Sequence, residues 1–178
     1  MRMEREMTSE EDITLKCLKW KTTPKGVRVI GCAKDFKGAM EIPRFIDGVP
    51  VVEIGYKAFA ECTSLTSVVI PASVEIVGEN AFAECVSLKE LRLGARIKAI
   101  GKGAFLDCHS LRSVVIPDSV KTVGPEAFKW CHELEELRLG AGVKSIENRA
   151  FGSCSSLKSV VIPEYVEILD EYEFAFCS

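Results

Sequence analysis

Eight cysteines are the residues best suited to do chemistry in this chain of 178 residues. Thiols in such number could bind a metal or form disulfides. Six of them, however, share a 23-residue period, and the chain has no Cys-x-x-Cys pair; they are Cys62, Cys85, Cys108, Cys131, Cys154 and Cys177. Thiols at one repeat position project the same way, which is the wrong geometry for bridging neighbours. The spacing therefore predicts a buried ladder of small apolar side chains.

Cys17 and Cys32 stand outside this series. They lie near equivalent heights in two predicted strands and could pair across them as a disulfide. Such a bond persists only in an oxidising compartment, which the sequence does not fix. Whether these two thiols pair stays open at this point.

The only two histidines, His109 and His132, are also 23 residues apart. Stacked on adjacent coils, two imidazoles could share a metal ion. Two ligands do not make a site, however, and no carboxylate or third histidine lies in obvious register. The pattern favours a surface or edge position, so we expect no metal and no cofactor, with a metal-binding protein as a remote alternative.

Catalytic motifs are missing from the sequence. It has no Ser-His-Asp arrangement with a nucleophile elbow, no glycine-rich phosphate loop and no His-Glu-x-x-His helix. Glu90 and Glu136 recur in the repeat frame, as carboxylates on a solvated face do. We therefore expect the chain not to be an enzyme.

The elements that carry these residues follow the same period. The repeated apolar positions are Phe59, Phe82, Phe105, Phe128, Phe151 and Phe174, then Leu65, Leu88, Leu111, Leu134 and Leu157, then Val68, Leu91, Val114, Leu137 and Val160, then Ile70, Leu93, Ile116, Leu139 and Ile162. Val68 and Ile70 are two apart and face one way, as in a strand. A proline or glycine ends that strand, and a second apolar pair such as Val74 and Val77 crosses the opposite side. The Ala-Phe segment is predicted to form one short helical turn.

One such unit cannot bury its apolar edge alone, so neighbouring units must stack. Coils about 4.8 Å apart would pair their strands in parallel and make a continuous core. The predicted fold is an α/β leucine-rich-repeat solenoid that is rich in β-structure. Its concave face carries parallel strands, its other side carries short helical turns and short strands, and a β-hairpin caps its N-terminus.

The chain divides into three parts. Residues 1–12 are charged and predicted to be disordered, and residues 13–50 hold the cap and a degenerate first repeat. Residues 51–178 hold the 23-residue repeats, and the last repeat is truncated. We expect that end to mark a fragment of a longer array or to support self-association.

Within the first 50 residues the patterns are specific. The predicted hairpin joins Ile13–Trp20 to Val27–Cys32. The degenerate strand covers Ala39–Ile42, and an insertion around Asp47-Gly48 precedes the regular frame. The hairpin would cover an otherwise open sheet edge.

The outward positions of the predicted strands alternate between two kinds of coil. Ser-x-Val coils alternate with Glu-x-Arg coils, a 46-residue super-period that looks like duplication of a two-coil unit. These candidate binding residues are Ser67, Val69, Glu90, Arg92, Ser113, Val115, Glu136, Arg138, Ser159 and Val161. They could form a merely soluble sheet face with valine favoured by β-propensity, or a ligand surface with rigid spacing. The aromatic residues that break the pattern, Tyr56, Trp130, Tyr165 and Tyr172, are further contact candidates.

Composition narrows the choice of partner. The net charge is −3 and no basic stretch could track a phosphate backbone, which argues against nucleic acid. No apolar run approaches the roughly 20 residues that span a bilayer, so no membrane insertion is expected. The first twelve residues lack the apolar region of a secretory signal, and the compartment stays open.

The motif AFxxCxxLxxVxIPxxVxxIG, as in Ala58–Gly78 and Ala104–Gly124, resembles the BspA-like (treponemal) class of leucine-rich repeats. The resemblance covers about Ile42 to Ser178. The sequence has no asparagine ladder after the strand, as in that class; the residues there are Ser73, Arg96, Ser119, Gly142 and Tyr165. Later repeats drift from the motif, with Glu147 and Asp170 at the corner glycine position and Glu173 at the alanine position.

The resemblance implies a bacterial surface or secreted protein that adheres to host matrix proteins or to other cells. The leading hypothesis is accordingly a non-catalytic protein–protein interaction module with a protein ligand. The alternative is a structural spacer or an intracellular scaffold.

Overall fold

The structure is a computed structural model, and it describes residues 14–164, 166–168, 172, 174 and 177. The predicted disordered segment 1–12 lies outside these residues. In chain order the strands are β1 (Leu18–Thr23), β2 (Gly26–Cys32), β3 (Gly38–Glu41), β4 (Phe45–Ile46), β5 (Val49–Ile54), β6 (Leu65–Val69), β7 (Ile76–Val77), β8 (Glu90–Arg92), β9 (Ala99–Ile100), β10 (Ser113–Val115), β11 (Thr122–Val123), β12 (Glu136–Arg138), β13 (Ser145–Ile146), β14 (Ser159–Val161) and β15 (Glu167–Ile168). Each regular coil contributes one longer and one two-residue strand.

Successive coils stack in parallel with an offset of one repeat. The longer strands pair so that Ser67 lies opposite Glu90, and the short strands pair so that Ile76 lies opposite Ala99. Both pairs are 23 residues apart, so each residue lies on its counterpart in the next coil. This register confirms the predicted solenoid of parallel strands and puts equivalent side chains in columns.

The phenylalanine column shows how the core is filled. Rings of neighbouring coils lie with their centroids 4.7 to 5.3 Å apart and their planes within 11° of parallel from Phe59 to Phe151. All five of these side chains are fully buried; they are Phe59, Phe82, Phe105, Phe128 and Phe151. Each ring therefore shields its neighbours from water, and the large apolar area of an aromatic side chain stabilises every interface between coils.

The Ala-Phe segment forms consecutive turns, not the expected helical turn. Ala58 and Ala60 donate backbone hydrogen bonds to carbonyls three residues earlier, whereas Lys57 and Phe59 donate to the next coil. A helix would satisfy these N–H groups internally and leave none for the neighbouring coil. Lys57 and Glu61 also have positive φ angles of 52° and 61°, which interrupt any right-handed helical run. The alternation of local and inter-coil bonds stitches this side of the coil to the next.

The N-terminal hairpin extends the sheet of short strands. β1 and β2 pair antiparallel, and β2 pairs in parallel with β5, so the hairpin covers the first coil. The first strand begins at Leu18 and not at Ile13, because residues 14–17 form a helical turn; Ile13 lies outside the described residues. β3 is the expected degenerate repeat strand and pairs with β6. Asp47 and Gly48, with φ angles of 51° and 75°, form the two-residue turn between β4 and β5.

The sheet of longer strands is divided between β8 and β10. β3, β6 and β8 form one three-stranded sheet, and β10, β12 and β14 form another. A Cβ atom on Gly94 would lie 2.3 Å from the Pro71 carbonyl oxygen, and one on Gly140 would lie 2.6 Å from that of Pro117. Each glycine thus lets its coil close onto the preceding proline coil. These close approaches accompany the pairings of β6 with β8 and of β10 with β12, and the pairing of β12 with β14 is intact as well.

Candidate binding surface

The ten predicted binding residues lie together on one side of the solenoid. We call the outward side of β6, β8, β10, β12 and β14 the repeat-strand face. On it Ser113, Glu136 and Ser159 form one row, and Val115, Arg138 and Val161 form the next. Val115 and Val161 are 58% and 73% exposed, whereas the intervening Val114 and Leu137 are buried. The strands therefore present a flat array of side chains at fixed spacing, as the alternation predicted.

The charged residues of this face have no ionic partner. Within the described part of the chain, no ion pair involves the exposed side chains of Glu90, Arg92, Glu136 or Arg138. The two arginines are two coils apart, on β8 and β12. Two unpaired guanidinium groups and two unpaired carboxylates thus remain available to a partner in solution.

Charges at the margin of the face are engaged with one another instead. Lys158 Nζ lies 2.5 Å from Glu135 Oε2, and Arg112 Nε lies 3.3 Å from Glu133 Oε2. The hydrogen bond from Lys158 lowers the pKa of Glu135. These exposed pairs contribute little to stability but lower the charge that the margin offers to a ligand.

An opening between β8 and β10 was not predicted from the sequence. Leu91 and Leu93 of the core columns are half-buried here, although their counterparts Val114 and Ile116 are buried. The opening leads to a cleft of about 370 Å³ between the two coils.

The repeat cysteines form the predicted buried ladder. The Sγ–H groups of Cys85, Cys108, Cys131 and Cys154 each donate to a phenylalanine carbonyl of the preceding coil, with S···O distances of 3.1 to 3.4 Å. Burial raises the pKa of Cys85 and Cys131 to about 12 and raises that of Cys108 well above its usual value. These thiols are therefore inert small side chains that also satisfy a backbone carbonyl.

Cys17 and Cys32 are both free thiols in this structure. Cys32 is buried, and its sulfhydryl is hydrogen-bonded to that of Cys62, which raises the pKa of Cys32. Cys32 thus extends the cysteine ladder by one coil into the hairpin, a role that its position outside the repeat frame did not suggest. Cys17 is only half-buried.

We expect brief treatment of the native protein with iodoacetamide at about pH 8 to alkylate Cys17 and Cys177 first. Both are half-buried, whereas Cys108 and Cys131 are fully buried, and the side-chain interaction with Cys154 lowers the pKa of Cys177 to about 7. Peptide mass spectrometry would give the order of labelling. Alkylation of Cys108 or Cys131 at the same rate in native protein would contradict the buried ladder, and denatured protein is the positive control.

The two histidines stack as their spacing predicted. The ring centroids of His109 and His132 lie 5.2 Å apart with an interplanar angle of 30°. Contrary to expectation, a carboxylate is adjacent, because His109 Nε2 contacts Asp107 Oδ1. Among the described residues, no three His, Cys, Asp or Glu side chains converge as a metal site requires. The two stacked histidines therefore lie in turns of adjacent coils without forming a metal site with other described residues.

The aromatic candidates lie apart from the repeat-strand face. Trp130 is 42% exposed in a turn with φ 63°, and Lys129 Nζ lies 4.5 Å from its ring centroid. Tyr56 and Tyr172 are also exposed, each near a cationic side chain, and Tyr165 lies outside the described residues. The structure therefore does not bring these aromatic residues together with the charged array into one surface.

Stacked 23-residue coils with columns of Phe, Cys and Leu define a leucine-rich-repeat solenoid. The sequence profile of the BspA type leucine rich repeat region matches residues 52–178, in 6 copies. The chain therefore belongs to the BspA-type leucine-rich-repeat family. No helix within the described residues is long and apolar enough to cross a bilayer.

Solved structures of bacterial leucine-rich-repeat proteins are similar to this chain. A Treponema pallidum leucine-rich-repeat protein is 31% identical with a TM-score of 0.66, and the match covers 92% of this chain and 86% of that protein. A Bacteroides ovatus leucine-rich-repeat protein is 28% identical with a TM-score of 0.63, over 89% of this chain and 49% of that one. A leucine rich cell surface protein from Faecalibacterium prausnitzii shares the fold at 24% identity and a TM-score of 0.57, over 81% and 52%. A search of curated protein sequences found no match.

Proposed function

We propose that this chain is a non-catalytic protein–protein interaction module that binds its partner through the repeat-strand face. The observation that carries the proposal is the unpaired array of Glu90, Arg92, Glu136 and Arg138 on rigid, paired strands. Because the strands that carry this array are held by side chains buried in the core, the backbone positions of the four charged residues are fixed before a partner binds. Preorganised charges of both signs favour a partner of complementary pattern and disfavour others.

The family and the fold support a place at the bacterial surface. The family is typified by BspA, and a protein described as a leucine rich cell surface protein shares this fold. We propose host matrix or cell-surface proteins as the class of partner. The competing function is a structural spacer or scaffold, which does not depend on the charges of the repeat-strand face.

We expect Arg92→Glu combined with Arg138→Glu to lower affinity for a bound partner by at least about tenfold, without unfolding the domain. Both side chains are exposed and unpaired, so the reversal removes attraction and adds repulsion without disturbing the core. The measurement is a pull-down from an extracellular-matrix preparation with wild-type and variant protein, followed by mass spectrometry. Titration of the purified partner would then give the two affinities, and thermal melting of the wild-type and variant proteins would show that both are folded.

The matched control is Lys121→Glu combined with Lys144→Glu. These exposed lysines lie on adjacent coils beside β11 and β13, on the sheet of short strands, and their reversal changes the net charge equally. Partner capture that survives the arginine reversal but fails in the lysine control would move the binding site to the short-strand side. Capture of the same proteins by all three forms would place the binding site away from both sets of charges, and capture by none would favour the spacer.

A further inference from the structure

We infer that the cleft between β8 and β10 is a specific pocket for a protein segment that presents a large apolar side chain next to a carboxylate. The inference rests on the proposed function and names the chemistry of the contact that the repeat-strand face makes. The cleft lies where the sheet of β3, β6 and β8 ends and the sheet of β10, β12 and β14 begins.

The cleft exists because one strand pairing in the series is missing. Just before β8, β12 and β14, a backbone N–H donates to a backbone carbonyl of the preceding coil. These bonds join Lys89 to Thr66, Glu135 to Arg112, and Lys158 to Glu135. Among the described residues, Arg112 makes no equivalent bond to Lys89, and β8 and β10 belong to different sheets. The opening is therefore a local feature of one interface and not a general looseness of the solenoid.

The floor and walls of the cleft are apolar. Leu91, Leu93, Ala95, Val115 and Pro117 line it, in a volume of about 370 Å³. Leu91 and Leu93 are core residues whose counterparts in the next coil are buried, so water contacts apolar surface that the repeat pattern assigns to the interior. Covering that surface with an apolar side chain removes it from water, which is the largest favourable term in most protein association.

The rim of the cleft carries one charge. Arg92 is the only ionisable residue that lines it, and its exposed guanidinium forms no ion pair with any described residue. No carboxylate lines the cleft. A guanidinium beside an apolar cleft complements a carboxylate next to a large apolar side chain. The carboxylate can accept a charge-assisted hydrogen bond from Arg92 while the apolar side chain is buried in the cleft.

The repeat itself supplies matched controls. Arg138 and Ala141 occupy the positions of Arg92 and Ala95 two coils later, where β12 and β14 are paired and Leu137 and Leu139 are buried. Ala95→Phe should fill the cleft from its rim, since Ala95 is exposed and lines it, whereas Ala141→Phe places the same ring on a closed sheet. Lys144→Glu, on the sheet of short strands, is the charge control for Arg92→Glu.

The test is a titration of methyl-labelled protein with the blocked tetrapeptide Gly-Phe-Glu-Gly, followed by NMR of the leucine and valine methyl groups. We expect saturable shifts at Leu91, Leu93 and Val115, with affinity in the millimolar range at about −4 kcal/mol. Ala95→Phe should abolish the shifts, and Arg92→Glu should weaken binding about fivefold. Replacing the glutamate of the peptide with glutamine should weaken binding to the wild type by a similar factor.

Two outcomes would overturn the pocket. One is the absence of methyl shifts at Leu91 and Leu93 up to the solubility limit of the peptide. The other is an equal loss of binding in Ala141→Phe, which would show that the peptide binds the repeat-strand face generally. In either case partner capture that still depends on Arg92 and Arg138 would leave the interaction module standing without a cleft, so the two proposals fail separately.

Discussion

Phe105→Ala should lower the free energy of unfolding by about 3–5 kcal/mol. Phe105 is fully buried, and its ring stacks between those of Phe82 and Phe128 at centroid distances of 5.2 and 5.0 Å. The substitution removes apolar contacts on both sides and leaves a cavity that rigid neighbouring coils cannot close. In a solenoid each coil contacts only its neighbours, so damage in the middle weakens two interfaces at once. Denaturant unfolding followed by circular dichroism would measure the loss.

Val115→Ala is the companion variant for that experiment. Val115 lies on β10, the strand that follows Phe105 in the same repeat, but its side chain points outward and is 58% exposed. We therefore expect its truncation to change stability by no more than about 0.5 kcal/mol. If the two variants had equal free energies of unfolding, the stacked phenylalanine side chains could not be a main source of stability. A broadened transition in Phe105→Ala alone would still agree with it, because the two halves of the solenoid would then unfold less cooperatively.

The columns could be predicted because the sequence repeats them. A single 23-residue period at Phe59, Cys62 and Leu65 fixes which side chains meet once coils stack, whatever the local backbone does. Parallel pairing and the outward rows of the repeat-strand face follow from the same period. The prediction therefore rested on symmetry and needed no accurate local geometry.

Features that depend on hydrogen bonds between coils could not be predicted in this way. The turns around Phe59 are decided by N–H groups that bond to the next coil, while the local Ala-Phe pattern is equally compatible with a helical turn. At the N-terminus, the alternating pattern that continues from Ile13 into β1 reads as strand, yet residues 14–17 are helical. In both places non-local contacts override a local preference.

The cleft between β8 and β10 was missed for a different reason. The sequence marks Leu91 and Leu93 as core, and they are core residues by position. Their partial exposure arises from differences in coil spacing of a size that residue types alone do not encode. The same alternation of glycine and proline at Gly140 and Pro163 leaves β12 and β14 paired, so it does not mark the cleft.

Gly94→Ala should destabilise the domain by about 1–3 kcal/mol, through a backbone clash rather than a cavity. The added Cβ would lie 2.3 Å from the Pro71 carbonyl oxygen and 2.7 Å from its carbon. Both atoms belong to the backbone of a paired coil, so no flexible side chain can move aside. Relief requires the coil of β8 to shift away from that of β6, at the expense of the pairing between them. Denaturant unfolding measures the loss, and the methyl signals of Leu91 and Leu93 report the shift directly.

Gly31→Ala separates this clash from the general effect of replacing glycine. A Cβ on Gly31 would meet only the Lys19 side chain at 3.6 Å, an ordinary contact, so we expect a change within about 0.5 kcal/mol or a small gain from the stiffer unfolded chain. Equal losses in the two variants would contradict the close approach as the cause, because a Cβ on Gly31 meets no backbone atom within 4 Å. If Gly94→Ala instead left stability unchanged, the coils of β6 and β8 could not be held as close together as the contact between Gly94 and Pro71 implies.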